Sequence, residues 1–307
     1  MVGCGTVARV NHLPGLRAGG DADIVVFAGR SAESARQARD DWGSGDVTTE
    51  WAAAVTRDDV DAVHVCVPNA LHAEVAAAAL SAGKHVLVEK PMTTTLADAD
   101  ALLAIPTDRL LAVAFDARHN PLLSELRRQL PSLGVLREID VLLGHAGPEQ
   151  WSPHATWFRD AAESGGGCLI DLGSHVLDAL GWCAGPLGEV VGCRLEGPVE
   201  DHAEMDLLYG ADVPAHAVVS WRLPRTEFSF KVTGAAGTLQ IADGRLLRDG
   251  QPVEVPPVAL PNAAAAFARS VATGTPAVAD GLAGRAALGA VLAGYESAAA
   301  GRRVRVA

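Results

Sequence analysis

The chain has 307 residues, enough for two domains at roughly 100–200 residues each. With 49% hydrophobic and 20% charged residues, it can build sizeable cores and is too apolar for a disordered chain. The net charge of -12 disfavours a nucleic-acid binder, no apolar run reaches the roughly 18 residues of a membrane span, and no basic-then-apolar signal segment opens the chain.

The first third alternates short β-branched runs with Ala-rich helical stretches. Residues 24–28, 62–67, 85–90 and 110–115 read as buried strands, because they are continuously apolar and do not alternate. Helices are expected over 32–41, near 50–55, and over 70–82 and 94–104, where Ala and Leu recur at helical spacing. This pattern implies a doubly wound parallel sheet with helices on both faces. After about residue 117 the pattern changes. A helix over 120–130 leads to a strand over 137–146, a loop rich in Gly, Pro and Trp, and a helix over 168–183. Alternating strands follow at 190–197, 203–210, 215–223, 228–234 and 238–244, several joined by Gly-containing turns, which predicts an antiparallel sheet. Helices over 262–272 and 281–300 precede a short RRVRVA segment. The expected fold is α/β, with a parallel N-terminal domain over 1–117 and a C-terminal α/β domain over 118–307 carrying a large, mostly antiparallel sheet.

Three motifs carry chemistry. Gly3-Cys4-Gly5-Thr6-Val7-Ala8 is a GxGxxA turn at the head of the βα series. Its glycines allow a tight turn and close approach of a pyrophosphate, which a helix N-terminus favours, so it reads as a Rossmann fingerprint. Where NAD-binding folds place a ribose-binding acid, this chain has Gly29-Arg30-Ser31. Arg30 can pair with a 2′-phosphate and Ser31 can donate to it, which favours NADP; a simple stacking role for Arg30, with NAD also accepted, stays open.

The segments Val67-Pro68-Asn69-Ala70-Leu71-His72 and Val88-Glu89-Lys90-Pro91 end two of the strands, where ligands of open α/β sheets bind. Lysine occurs only at positions 84, 90 and 231 in a chain that otherwise uses arginine, which singles out Lys90. A lysine pKa can be moved toward neutrality for acid-base work, an arginine pKa cannot. In Ser164-Gly165-Gly166-Gly167-Cys168-Leu169-Ile170-Asp171-Leu172-Gly173-Ser174-His175, Asp171 and His175 stand four apart and are expected on one helix face, as a proton-handling pair or an ordinary surface pair. The five cysteines are scattered without a CxxC pair and are read as reduced, and no ligand spacing points to a metal.

Together, fingerprint, VPNALH, VEKP and GGGCLIDLGSHVLD, in this order, resemble the Gfo/Idh/MocA oxidoreductases, over nearly the whole chain. The resemblance implies hydride transfer between nicotinamide and a carbinol or ketone carbon of a sugar, keto-sugar or cyclitol. Lys90 or His175 would handle the proton and Asp171 would orient hydroxyls. Gly3, Gly5, Thr6, Val7, Ala8, Arg30, Ser31, Pro68, Asn69, His72, Glu89 and Lys90 would hold the cofactor. Arg118, His119 and the segment from Trp151 to Arg159, with Trp157 either stacking on a sugar or packing its loop, would choose the substrate. It also implies a homodimer or homotetramer paired through the C-terminal sheet, while the lack of a membrane span and of a signal segment leads to the expectation of a cytoplasmic protein. Two alternatives stand beside this reading: an NAD-dependent glycoside hydrolase of the same fold, and a non-catalytic nucleotide and sugar sensor. Only Met1 and Val2 precede Gly3, so the gene is expected to begin upstream and supply the rest of a first strand.

Overall fold

The computed structural model describes residues 1–210 and 213–306. The chain divides into two compact units: Met1–His119 with Ala259–Arg285, and Asn120–Val258 with the chain from Ala286 on. The first break falls two residues from the expected boundary at 117. The segment 259–285, expected in the second domain, folds with the first unit. The reason lies in hydrogen bonds: Asn262 donates to the Asn11 carbonyl at 2.8 Å, and the Ala263 N–H donates to the Asp116 carboxylate at 2.9 Å.

The first unit runs α1 (Leu13–Gly19), β1 (Val26–Ala28), α2 (Ala32–Trp42), β2 (Asp46–Thr48), α3 (Trp51–Val55), β3 (Ala62–Val65), α4 (His72–Ser81), β4 (His85–Val88), α5 (Leu96–Leu103) and β5 (Leu111–Val113). Strands β1 and β2 pair in parallel, as do β3, β4 and β5. Val2 bridges the two groups, pairing in parallel with both Ala28 and Val65. The strand residues are buried in continuous runs, as both faces of a parallel sheet require. Phe27, Leu13, Leu87, Ala112 and Phe267 lie in one core. Local chemistry sets the helix ends: Ser31 and Thr95 cap α2 and α5, and Gly43, at φ 111°, closes α2 in the left-handed region.

The second unit contains α6 (Pro121–Gln129), β6 (Leu136–Gly144), α7 (Ala161–Ser164), α8 (Ser174–Ala184), β7 (Leu187–Glu196), β8 (His202–Tyr209), β9 (Val213–Ser220), β10 (Glu227–Gly234), β11 (Gly237–Ala242), β12 (Arg245–Arg248) and β13 (Gln251–Pro252). Then come α9 (Ala263–Thr273), which belongs to the first unit, α10 (Gly281–Ala300) and β14 (Val304–Arg305). Among the described residues one sheet takes the order β13-β12-β11-β10-β6-β9-β8-β7-β14, antiparallel throughout except for the β6·β9 pair. Burial alternates along β8 and β10, with α6 and α8 packed against the sheet.

Candidate active site

The first unit carries its candidate ligand-binding residues at the carboxyl ends of its strands. Gly3 has φ 88°, and a Cβ there would collide with the Cys66 carbonyl beyond β3, so only glycine fits. Gly5 is exposed, and a Cβ there would meet nothing within 4 Å. The helix begins at Thr6, and its first internal hydrogen bond runs from the Arg9 N–H to the Gly5 carbonyl. The turn therefore leaves open space before the N–H groups of a helix start, which fits a dinucleotide pyrophosphate. Ala8, in the same helix start, is fully buried. Arg30 is exposed and, among the described residues, makes no ion pair. Ser31 accepts the Ser34 N–H at 3.2 Å as the helix cap, so its oxygen has a structural task besides any phosphate contact.

Glu89 and Lys90 lie just beyond β4, which ends at Val88. A Glu89 oxygen accepts the Lys90 N–H at 3.2 Å, and the Lys90-Pro91 bond is cis. Asn69, in a helical turn over Asn69–Leu71, is buried, and Pro68 is half-buried. His72 departs from expectation. It is fully buried, with Nδ1 2.7 Å from the Pro91 carbonyl and Nε2 2.9 Å from the Val67 carbonyl, so it supports the two strand ends and does not line a cleft. Arg118 and His119, expected from the second domain, belong to the first unit, and Arg118 donates to the Val278 carbonyl at 2.8 Å. Burial holds the His119 pKa below its ordinary value.

A cavity of about 880 Å³ in this unit is lined by Ile24, Val26, Val63, His64 and His85. These residues lie at the amino ends of β1, β3 and β4, opposite to where open parallel sheets bind ligands, so the fingerprint and the lysine lie elsewhere.

In the second unit the glycine run sits against Glu200. One oxygen of this buried carboxylate accepts the N–H groups of Gly167 at 2.8 Å and Leu169 at 3.2 Å and the Tyr295 hydroxyl at 2.6 Å. A Cβ on Gly167 would strike the Glu200 carbonyl, and one on Gly166 would strike the Tyr295 hydroxyl. The following helix opens with a π turn over Leu169–Gly173 before α8, so the step from Asp171 to His175 is not the simple α-helical four-residue spacing that was expected. Asp171 is buried and His175 is half-buried.

Sequence reasoning missed the partner of Asp171. Trp221, just after β9, donates its indole N–H to Asp171 Oδ2 at 3.2 Å. The signal was present: Ala215, Ala217, Val219 and Trp221 follow the period of two on the covered face of the strand, and all four are buried. Over the Trp221 ring lies the Arg159 guanidinium, 4.9 Å from its centre, itself paired with Glu149 at 2.9 Å. Trp157 stacks on buried Phe158 at 3.9 Å, with Trp151 edge-on to the same ring, so both tryptophans pack their loop. Burial raises the Cys4 thiol to about 11 and Cys193 to about 12, as expected of unreactive cysteines. Among the described residues no group of three or more His, Cys, Asp or Glu is arranged to hold a metal ion, and no helix is long and apolar enough to cross a membrane.

Comparison with known proteins agrees with this anatomy. A profile described as "Oxidoreductase family, NAD-binding Rossmann fold" (GFO_IDH_MocA) matches residues 1–114, and the "GFO/IDH/MocA C-terminal domain" profile matches residues 131–240. The chain is 35% identical over 198 residues to dTDP-3,4-didehydro-2,6-dideoxy-alpha-D-glucose 3-reductase of Actinomadura kijaniata, covering 64% of this chain and 58% of that protein. It is 32% identical over 181 residues to D-glucoside 3-dehydrogenase of Escherichia coli (strain K12), covering 58% of this chain and 51% of that protein. The matched segment thus spans between half and three fifths of these curated relatives. Among solved structures, GenD2 from gentamicin A biosynthesis in complex with NAD superimposes with a TM-score of 0.86 at 25% identity, covering 100% of this chain and 95% of that one.

Proposed function

This chain belongs to the Gfo/Idh/MocA oxidoreductase family, and on that premise we propose that it is a nicotinamide-dependent oxidoreductase of sugars, keto-sugars or cyclitols. When bound, the nicotinamide supplies the hydride donor or acceptor. The observation that carries the reading is Lys90, held by its own backbone to Glu89 just past β4, at the strand ends that also present Gly3 and Gly5. Lys90 or His175 handles the proton of the substrate's carbinol oxygen, and Asp171, which accepts the Trp221 indole N–H, orients hydroxyls. The two curated relatives named above support a carbohydrate substrate, each being named for chemistry at a sugar 3-position.

NADP is the favoured cofactor, because Arg30 is exposed and, among the described residues, makes no ion pair where an acid would bind the NAD ribose. The protein is expected to reside in the cytoplasm and to assemble as a homodimer or homotetramer through the second unit's sheet, which light scattering on the purified protein checks. Lys90→Met and His175→Ala should each lower turnover by about 100-fold or more, on the scale of lost acid-base catalysis, while leaving the thermal transition in place. Near-normal activity of both variants against a panel of sugars and cyclitols would overturn the assignment.

A further inference from the structure

We propose that His12 and His72 are positioning residues, a pair of buried histidines that clasp the tripeptide Glu89-Lys90-Pro91 from two sides and fix the direction in which the Lys90 side chain leaves the backbone. The inference rests on the reading above, in which Lys90 handles the proton.

The tripeptide lies beyond the last residue of β4; the Glu89 N–H still donates to the Val65 carbonyl at 3.0 Å, and side chains add to that hold on both sides of Lys90. On one side stands His12, 1% exposed, on the helix that follows the glycine fingerprint. Its Nε2 is 2.7 Å from Glu89 Oε1, and the other oxygen of the same carboxylate accepts the Lys90 N–H. On the other side His72, fully buried, places Nδ1 2.7 Å from the Pro91 carbonyl and Nε2 2.9 Å from the Val67 carbonyl, tying the end of the lysine loop to the strand end beside it. Each residue flanking Lys90 is thus gripped by an imidazole.

The His12 ring is itself held. Its Nδ1 lies 2.9 Å from His64 Nδ1, and the His64 ring packs edge-on against Phe267 at 5.4 Å. One of two facing ring nitrogens must donate and the other accept. Burial alone would lower the His12 pKa, but the Cys66 sulfur and the Glu89 carboxylate outweigh it and hold it well above its ordinary value. Burial and the charge on His12 push His64 well below its own. His12 therefore donates on both sides, to Glu89 and to a neutral His64. At His72, burial lowers the pKa while the two carbonyls and Glu89 oppose it. The neutral ring donates to one carbonyl, and a protonated ring to both.

Positioning of this kind matters because a catalytic group must be held to within about 0.5 Å, and a displacement of about 1 Å can cost roughly 100-fold in rate. The chain offers a direct probe, since its lysines are only Lys84, Lys90 and Lys231. Reductive ¹³C-methylation gives each lysine an NMR signal, and Lys90→Met assigns the one at issue. We expect His12→Ala and His72→Ala to move or broaden the Lys90 signal while leaving those of Lys84 and Lys231 in place. In kinetics His12→Ala should lower kcat about 30-fold with the sugar KM within about 3-fold, and His12→Gln, whose amide N–H reaches toward Glu89, should recover most of that loss. An unmoved Lys90 signal in both alanine variants overturns the clasp. So does a kcat within 3-fold of wild type in His12→Ala, or a glutamine variant of equal stability that recovers nothing. If Lys90→Met retains full activity, the catalytic reading fails, and the NMR signals still decide whether the clasp exists.

Discussion

The Trp221 indole N–H points at Oδ2 of Asp171 from 3.2 Å, although 50 residues separate the two in sequence, and both side chains are buried. This bond gives the carboxylate a fixed orientation that the motif containing it does not supply. Trp221→Phe keeps the aromatic volume and removes the donor. Loss of a hydrogen bond to a buried charge costs about 1.5–3 kcal/mol, so turnover should fall about 10-fold with cofactor affinity unchanged. Steady-state kinetics beside a cofactor titration decides it, and an unchanged kcat would separate Asp171 from the chemistry.

The glycine run should tolerate no side chain at Gly167, since a Cβ there would meet backbone at Glu200, which cannot swing aside. Gly167→Ala should lose about 1–3 kcal/mol or more of stability, as forced overpacking does. Tyr295→Phe, which removes one of the three donors that meet on one Glu200 carboxylate oxygen among the described residues, should cost about 1–3 kcal/mol. Urea unfolding measures both.

Arg30→Ala tests cofactor choice. Charge-assisted hydrogen bonds of about 1.5–3 kcal/mol correspond to roughly a 10- to 100-fold weakening of NADPH binding, with NADH binding little changed. Fluorescence titration with the two cofactors reads the difference directly. Equal weakening of both, or an NADH preference in the wild type, would refute the role given to Arg30.

Arg222 links Glu196 and Asp201 on the second unit, and its hydrogen bonds lower both pKa values from their ordinary 4.5 and 3.8. A carboxylate with a depressed folded pKa stabilises the fold above its unfolded value and loses that contribution as pH falls through the folded value. Arg222→Gln should therefore be less stable than wild type at neutral pH, and the gap should close as pH drops below about 4. Half-exposure of these side chains keeps the effect small, and unfolding midpoints at pH 6.5 and pH 3 would show its sign.

Much of the fold was legible because its rules are local. Continuous apolar runs marked β1, β3, β4 and β5, and alternation marked β7 to β11, each within a residue or a few of the observed ends. Strands β2, β12 and β13, at two to four residues with polar ends, fell below what periodicity resolves. His12 was also within reach: Ala8, His12 and Leu16 recur every four residues, all buried, which places the imidazole on the covered side of its helix.

The sequence by itself determined the parallel and antiparallel sheets, the glycine turn before a helix, and the placement of Lys90 past a strand end, because propensity, periodicity and turn chemistry act among near neighbours. Tertiary structure alone decided that residues 259–285 join the first unit, that Trp221 meets Asp171, and that His12 and His72 take hold of Glu89 and Pro91. Which buried donor finds which buried acceptor depends on packing between segments 19 to 251 residues apart. There the cost of leaving a polar group unpaired, and no local rule, selects the partner.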